Sequence, residues 1–232
     1  MRLSIVIGLS AAIMAWAAPA PMPMPTPPGI PSSDGARTAL NNLIVAVPGS
    51  GSDYNRTLFP HWITISGTCD AREFVLKRDG TGVVVNSACV PQSGDWISPY
   101  DNAAFTNASK LDIDHMVPLK NAWIVSLLPI YTLPIAQYQR HITYTHNQQS
   151  GASDWTTAKR QAFANDINIP QLWAVSASSN RSKGDKSPDK WKPPLSSFYC
   201  TYAKSWIEVK SSYELTISSA EKTALDAMLK KC

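Results

Sequence analysis

Leu111-Asp112-Ile113-Asp114-His115-Met116-Val117-Pro118-Leu119 is an alternating apolar run that carries an Asp-His pair. Leu111, Ile113 and Met116 read as the buried residues of a short strand. A strand that ends in Asp114-His115 puts two chemically able side chains on opposite faces at an element boundary. Imidazole changes charge near neutral pH without help from its surroundings, so a histidine beside a carboxylate is a candidate acid or base. The chain has four histidines, His61, His115, His141 and His146. The last two fall in a segment read below as an insert, which leaves His115 and His61, and His115 has the better neighbours.

The chain around this stretch has 232 residues, 44% of them hydrophobic, with eight tryptophans. That is enough for one ordinary domain with a real core and a second small lobe. A net charge of +4 tolerates a polyanion and excludes an obligate nucleic-acid packaging protein. Met1-Arg2-Leu3 and the apolar run Ile5 to Ala18, ending in Ala15-Trp16-Ala17-Ala18-Pro19-Ala20, have the order of a secretory signal over residues 1–18. The run is too short to span a bilayer comfortably and no later stretch is longer. The expectation is a secreted, extracellular protein with no stable membrane association. Cys69, Cys89, Cys200 and Cys232 lack the close Cys-x-x-Cys spacing of a zinc site, and in an exported chain they predict two disulfides. Of the three pairings that four cysteines admit, Cys69 with Cys89 and Cys200 with Cys232 is favoured, because each closes a local loop on its own side of the Asp-His strand.

Residues 19–33 are a Pro-rich, almost uncharged spacer in which no packed structure is expected. Asp34 is placed to cap a helix over 36–46 with Leu40, Leu43, Ile44 and Val47 on one face. Cys69 and Asp70 begin a short helix, and Asp79-Gly80-Thr81-Gly82 turns into a Val83-Val84-Val85 strand. Asn121-Ala122-Trp123 starts a helix after the opening strand. Trp155 to Phe163 is helical by pattern, and Leu172-Trp173-Ala174-Val175 is a second short strand. A polar basic stretch with Asn180 and Lys183 follows. Tyr202, Trp206, Val209 and Tyr213 recur at helical spacing. Ser218-Ser219-Ala220-Glu221 is a capping box for a last helix that turns Leu225, Met228 and Leu229 inward.

Strand, Asp-His, second strand and a helix bearing Asn180 and Lys183 is an order that suits a divalent-metal phosphodiesterase. Such chemistry needs a neutral imidazole to take a proton from water, a hard cation on oxygen ligands at the scissile phosphate, and a positive charge nearby. His115 fills the first role, Asp114 with Asn180 the second, and Lys183 the third. Arg181, Lys183, Lys186, Lys190 and Lys192 lie beside them, with Arg181 and Lys186 the candidate phosphate-binding residues. A metalloprotease is disfavoured because the chain has no His-Glu-x-x-His.

The same residues carry a resemblance. Tyr54-x-Arg56-x-x-Phe59, Cys69-Asp70-x-Arg72, Ser98-Pro99-Tyr100-Asp101, Asp114-His115-x-Val117-Pro118-Leu119-x-Asn121-Ala122-Trp123, Phe163-Ala164-Asn165-Asp166, and Leu172-x-Ala174-Val175 through Asn180-x-x-Lys183-Gly184-Asp185 to Trp191-x-Pro193-Pro194 resemble the HNH, or His-Me finger, nucleases. The closest likeness is to secreted members of the GmrSD-type HNH domain, over 34–232. The resemblance implies an α+β fold with a ββα-metal core, surrounding helices and two disulfides. It implies His115 as general base, Asp114 and Asn180 as ligands of Mg²⁺ or Mn²⁺, with Zn²⁺ as an alternative, and DNA or RNA as substrate. The alternative from another class is a non-catalytic, disulfide-stapled secreted protein of this fold that binds a polyanion or a protein.

Two departures from the family pattern stand out. The family often has an asparagine bracing the finger loop just before the second strand, where this chain has Gln171; Asn165 and Asn168 are substitutes. In relatives the Asn-Ala-Trp helix runs almost directly into a Ser-Gly-Ala segment, whereas Val125 to Gln149 intervene here. The insert reads either as a surface loop or as a translated intron, since Val125-Ser126 is encodable by a GTAAGT donor and Gln149 by a CAG acceptor. Asn55, Asn107 and Asn180 each begin a glycosylation acceptor triplet; a metal ligand at Asn180 requires that residue to be unmodified.

Overall fold

The computed structural model describes residues 25–124 and 151–232. The signal-like stretch 1–18, the first part of the Pro-rich spacer, and the insert with His141 and His146 lie outside the described residues. The end of the spacer is packed, contrary to expectation: Pro27 is buried and Ile30 lies against the main core. Gly29 permits this, because its φ of 77° is in the left-handed region and a Cβ there would lie 3.3 Å from the Asn168 carbonyl oxygen.

Helix α1 spans Ser33–Asn42, and its cap is Ser32, whose hydroxyl accepts from Gly35 N at 3.1 Å; Asp34 lies inside the first turn. The helix stops at Asn42 instead of running to Ala46, and Ile44 and Val47 are exposed. The β-branched residues that follow Asn41-Asn42 favour extended backbone. They take it by forming an isolated bridge between Val45 and Ile217.

Strands β1 (Thr64–Ser66) and β2 (Cys69–Asp70) pair antiparallel and lead into α2 (Ala71–Asp79) through an Asp70–Glu73 capping box. A three-stranded antiparallel sheet follows, made of β3 (Thr81–Val85), β4 (Pro91–Ile97) and β5 (Ala104–Phe105). The Cys69–Cys89 disulfide ties the β1–β2 hairpin to the loop between β3 and β4, as favoured from the sequence.

Strand β6 (Leu111–His115) precedes α3 (Leu119–Trp123), so Asn121-Ala122-Trp123 form the end of this helix, not its start. Helix α4 covers Thr157–Ala164. Strand β7 (Leu172–Ser176) then pairs antiparallel with β6, Asp112 opposite Val175 and Asp114 opposite Trp173. Helix α5 (Ala177–Lys183) follows at once and packs back on the pair. Period-two alternation divides the two strands between two cores. Leu111, Ile113, Leu172 and Ala174 join the core under α2, while Trp173 and Val175 join the larger one. That larger core is closed by α6 (Tyr199–Ser212) and α7 (Ser219–Leu229), which Cys200–Cys232 bridges from the start of one to the end of the other. The architecture is a mixed α/β fold with two disulfides. Among the described residues, no helix is long and apolar enough to cross a membrane.

Candidate active site

The end of β6, the loop after it and α5 enclose a cleft of about 200 Å³, lined by Arg56, Asp114, His115, Asn180, Arg181 and Asp185 among others. His115 lies on the wall, its side chain almost wholly buried. Its Nε2 is 2.9 Å from the Ala164 carbonyl oxygen at the end of α4. A carbonyl only accepts, so Nε2 carries the hydrogen, and the Nδ1 of the neutral ring keeps its lone pair. Burial pushes the imidazole down to about 3; the Ala164 carbonyl opposes this, and the fields of Arg56, His61 and Lys183 add to it. The ring is therefore neutral throughout the physiological range.

The loop before β1 covers this imidazole. Asn165 accepts from Ile63 N at 3.1 Å through Oδ1 and donates to the Pro60 carbonyl at 2.8 Å through Nδ2. Between those anchors Trp62 is held at φ 61° with its ring 5.8 Å from that of His115. A bulky residue in the left-handed region is costly and persists only where the surroundings impose it. His61 is one ring further out, 5.4 Å from Trp62, with Nδ1 donating to the Phe59 carbonyl at 2.7 Å.

Gln171 is fully buried and grips the peptide that follows the strand: Oε1 accepts from Val117 N and Nε2 donates to the Val117 carbonyl, both at 3.1 Å. Its own carbonyl accepts from Met116 N at 2.7 Å. The two brace candidates thus hold different loops, Gln171 the one after β6 and Asn165 the one over His115.

Asp112 and Asp114, two residues apart on β6, share a strand face, and Asn180 and Lys183, three apart on α5, share a helix face. They meet as two rungs. Asn180 Nδ2 donates to Asp112 Oδ2 at 3.1 Å, and Lys183 Nζ donates to Asp114 Oδ1 and Oδ2 at 2.9 and 2.7 Å. Lys183 also donates to the His115 carbonyl at 2.8 Å, and the Tyr100 hydroxyl donates to Asp114 Oδ2. Burial pushes the Asp114 carboxyl up and the Lys183 ammonium down, each opposed by the other's charge. At Asp101 burial also acts upward, but the Ser176 and Ser179 hydroxyls at the start of α5 outweigh it and hold the carboxyl below its usual range.

These contacts redistribute the roles read from the sequence. Lys183 is 0% exposed and fully committed to Asp114 and His115, so it cannot approach a phosphate in the cleft. Lys186 is not among the residues that line the cleft, and its Nζ donates to the Ser182 carbonyl at 2.7 Å. Arg181 does line the cleft, exposed and 3.5 Å from Asp112. Arg56, to which the sequence assigned no role of its own, lines it as well. Its signal was the spacing Tyr54-x-Arg56-x-x-Phe59. Asp112 was missed as well, although its place two residues before Asp114 marks it for the same face.

Among the described residues, no group of three or more His, Cys, Asp or Glu side chains is arranged to hold a metal. A hard divalent ion needs less when phosphate and water complete its shell. Lys183 and Tyr100 take three of the roughly four acceptor positions of the Asp114 carboxylate. One position on Oδ1 remains. Asn180, whose side chain carries a carboxamide oxygen, lines the same cleft. This donor set fits Mg²⁺ or Mn²⁺ better than Zn²⁺, which prefers nitrogen and sulfur.

The chain is 48% identical over 233 residues, 100% of each chain, to an uncharacterized secreted protein of Arthroderma benhamiae. No solved structure matches it. Residues 91–228, which include the cleft's β6, β7 and α5, match the family described as GmrSD restriction endonucleases, C-terminal domain, and the chain belongs to that family.

Proposed function

We propose that the protein is a secreted, metal-dependent endonuclease that hydrolyses phosphodiester bonds of DNA or RNA, with β6, β7 and α5 acting as a ββα-metal finger. The observation that carries this reading is the His115 ring, whose Nε2–H is consumed by the Ala164 carbonyl and whose neutral Nδ1 keeps its lone pair, in a cleft shared with Asp114, Asn180, Arg56 and Arg181. Membership in a family of restriction endonuclease domains supports it, and the secreted relative supports an extracellular site of action.

In this reading the His115 Nδ1 takes the proton of the attacking water, and the Ala164 carbonyl holds the imidazole in the tautomer that can do so. Arg56 and Arg181 hold the phosphate, and Arg56 takes over the charge-stabilising part that burial denies to Lys183. Lys183, Tyr100 and Gln171 are positioning residues that fix Asp114 and the loop after β6. Asp114 Oδ1 and Asn180 would hold a divalent ion, which when bound supplies positive charge at the scissile phosphate and leaving oxygen.

Plasmid DNA and an RNA transcript incubated with the protein and Mg²⁺ or Mn²⁺ test the proposal. Wild type is expected to cut, and His115→Ala to be slower by about 10²- to 10⁴-fold, the usual worth of a general base. Cleavage that survives that substitution unchanged removes His115 from the role. Absence of cleavage with Mg²⁺, Mn²⁺ and Zn²⁺ alike points to the non-catalytic polyanion or protein binder.

A further inference from the structure

We infer that Asp112 is a positioning residue that sets which end of the Asn180 carboxamide faces the cleft. The inference rests on the reading of the cleft as a metal-dependent nuclease site and assigns a part to a residue outside the ligand pair. A carboxamide has one donor end and one acceptor end of nearly equal shape, and only its partners decide which way it turns. Asp112 is such a partner: its Oδ2 is 3.1 Å from Asn180 Nδ2, and a carboxylate only accepts. The amide nitrogen is thereby spent on Asp112, and Oδ1, the end able to ligate a hard cation, is the end left for the cleft that Asn180 lines with Asp114 and His115.

Both sides of the contact are rigid. Asp112 is on β6, in register opposite Val175, and Asn180 is on α5, whose start is tied to Asp101 through the Ser176 and Ser179 hydroxyls. Without Asp112 the carboxamide is free to rotate and present its NH₂, which repels a cation. Groups that orient a ligand from behind typically matter 10- to 100-fold in metal affinity. Asp112 also lies 3.5 Å from Arg181, a charge contact that Asp112→Ala and Asp112→Asn lose alike, so comparing the two separates it from the hydrogen bond to Asn180.

The test reads Mn²⁺ affinity by electron paramagnetic resonance on a His115→Ala background, with a short DNA duplex present and uncut. Asp112→Ala is expected to weaken Mn²⁺ binding about 10- to 100-fold, whereas Asp112→Asn, which keeps an acceptor oxygen, is expected to stay within about threefold. The double variant Asp112→Ala with Asn180→Asp is expected to recover affinity, because a side chain with oxygen at both ends needs no orienting; a merely structural role of Asp112 does not predict that rescue. Wild-type affinity in Asp112→Ala, an equal loss in Asp112→Asn, or failure of the double variant to recover overturns the inference while leaving the nuclease reading intact. If the parent with Asp112 present binds no Mn²⁺ and the native chain cuts nothing, the nuclease reading itself falls, and this inference with it.

Discussion

At the scale of single residues, burial decides what each ionisable group does. His115 and Lys183 are both enclosed, yet one ends with an unshared ring nitrogen on a cleft and the other with every proton given to an oxygen. The depressed imidazole has a consequence for stability. Its folded value of about 3 lies below the ordinary 6.5, so between these pH values the unfolded chain binds a proton that the folded chain refuses. Stability from this group is complete above pH 6.5 and is lost as pH falls toward the folded value, by up to about 1.4 kcal/mol per unit. Urea unfolding of the metal-free protein should therefore show wild type losing about 2 kcal/mol more than His115→Phe between pH 7 and pH 5. Equal losses in the two proteins would mean that His115 is exposed and ordinary. The sequence made His115 a candidate but gave no sign of this burial, since the groups that enclose it, Trp62 and Ala164, come from the loop before β1 and the end of α4.

At the scale of elements, the β6–β7–α5 unit owes its precision to side chains that replace missing backbone partners. Val117 is buried just beyond the end of β6, where no ladder continues, and Gln171 meets both its N–H and its C=O. Gln171→Leu, similar in size, is expected to leave those two groups unpaired and to cost about 2 to 4 kcal/mol, measured from the urea midpoint. A loss below about 1 kcal/mol would show that the loop finds other partners. Strands β3, β6 and β7 and the Ser218–Glu221 capping box were legible in the sequence because alternation and capping are local patterns, whereas Cys69-Asp70, read as a helix start, form β2. The end of α1 was not: the apolar residues from Leu40 to Val47 fit a helical face, but pairing of residues 44–46 with Ile217 offers the backbone a partner that no local pattern announces.

At the scale of the whole molecule, two cores meet across the β6–β7 pair, and each disulfide ties together elements that border one of them. A buried Lys210–Glu221 pair, at 3.3 Å, joins α6 to α7 beside the second bridge; Glu221 also caps α7 and accepts from Trp206 Nε1. The described residues on either side of the insert are tied to each other. Arg160 donates to the Ala152 carbonyl at 3.2 Å and to the Trp155 carbonyl at 2.6 Å, and its guanidinium stands 5.8 Å from the Trp123 ring, so one side chain holds both sides of the junction. A chain lacking residues 125–149, with Ile124 joined to Ser150, is expected to melt cooperatively within about 4 °C of the full chain, the shift that about 1 kcal/mol produces at this size. Loss of a cooperative transition on calorimetry would assign those residues to the fold itself.

The sequence by itself determined the two strands of the Asp-His unit and the residues worth testing and favoured the two cysteine pairs that form, because each is written in spacings of a few residues or in local loops. Only the tertiary structure decided their parts. Asp112 reaches Asn180 across 68 positions and Asp114 reaches Lys183 across 69, and which of these charges is enclosed and which faces the cleft depends on how α5 lies on β6. A lysine's position in a motif does not reveal its solvent exposure. Packing does, and here it turns Lys183 from a group expected at the substrate into one that holds the site in place.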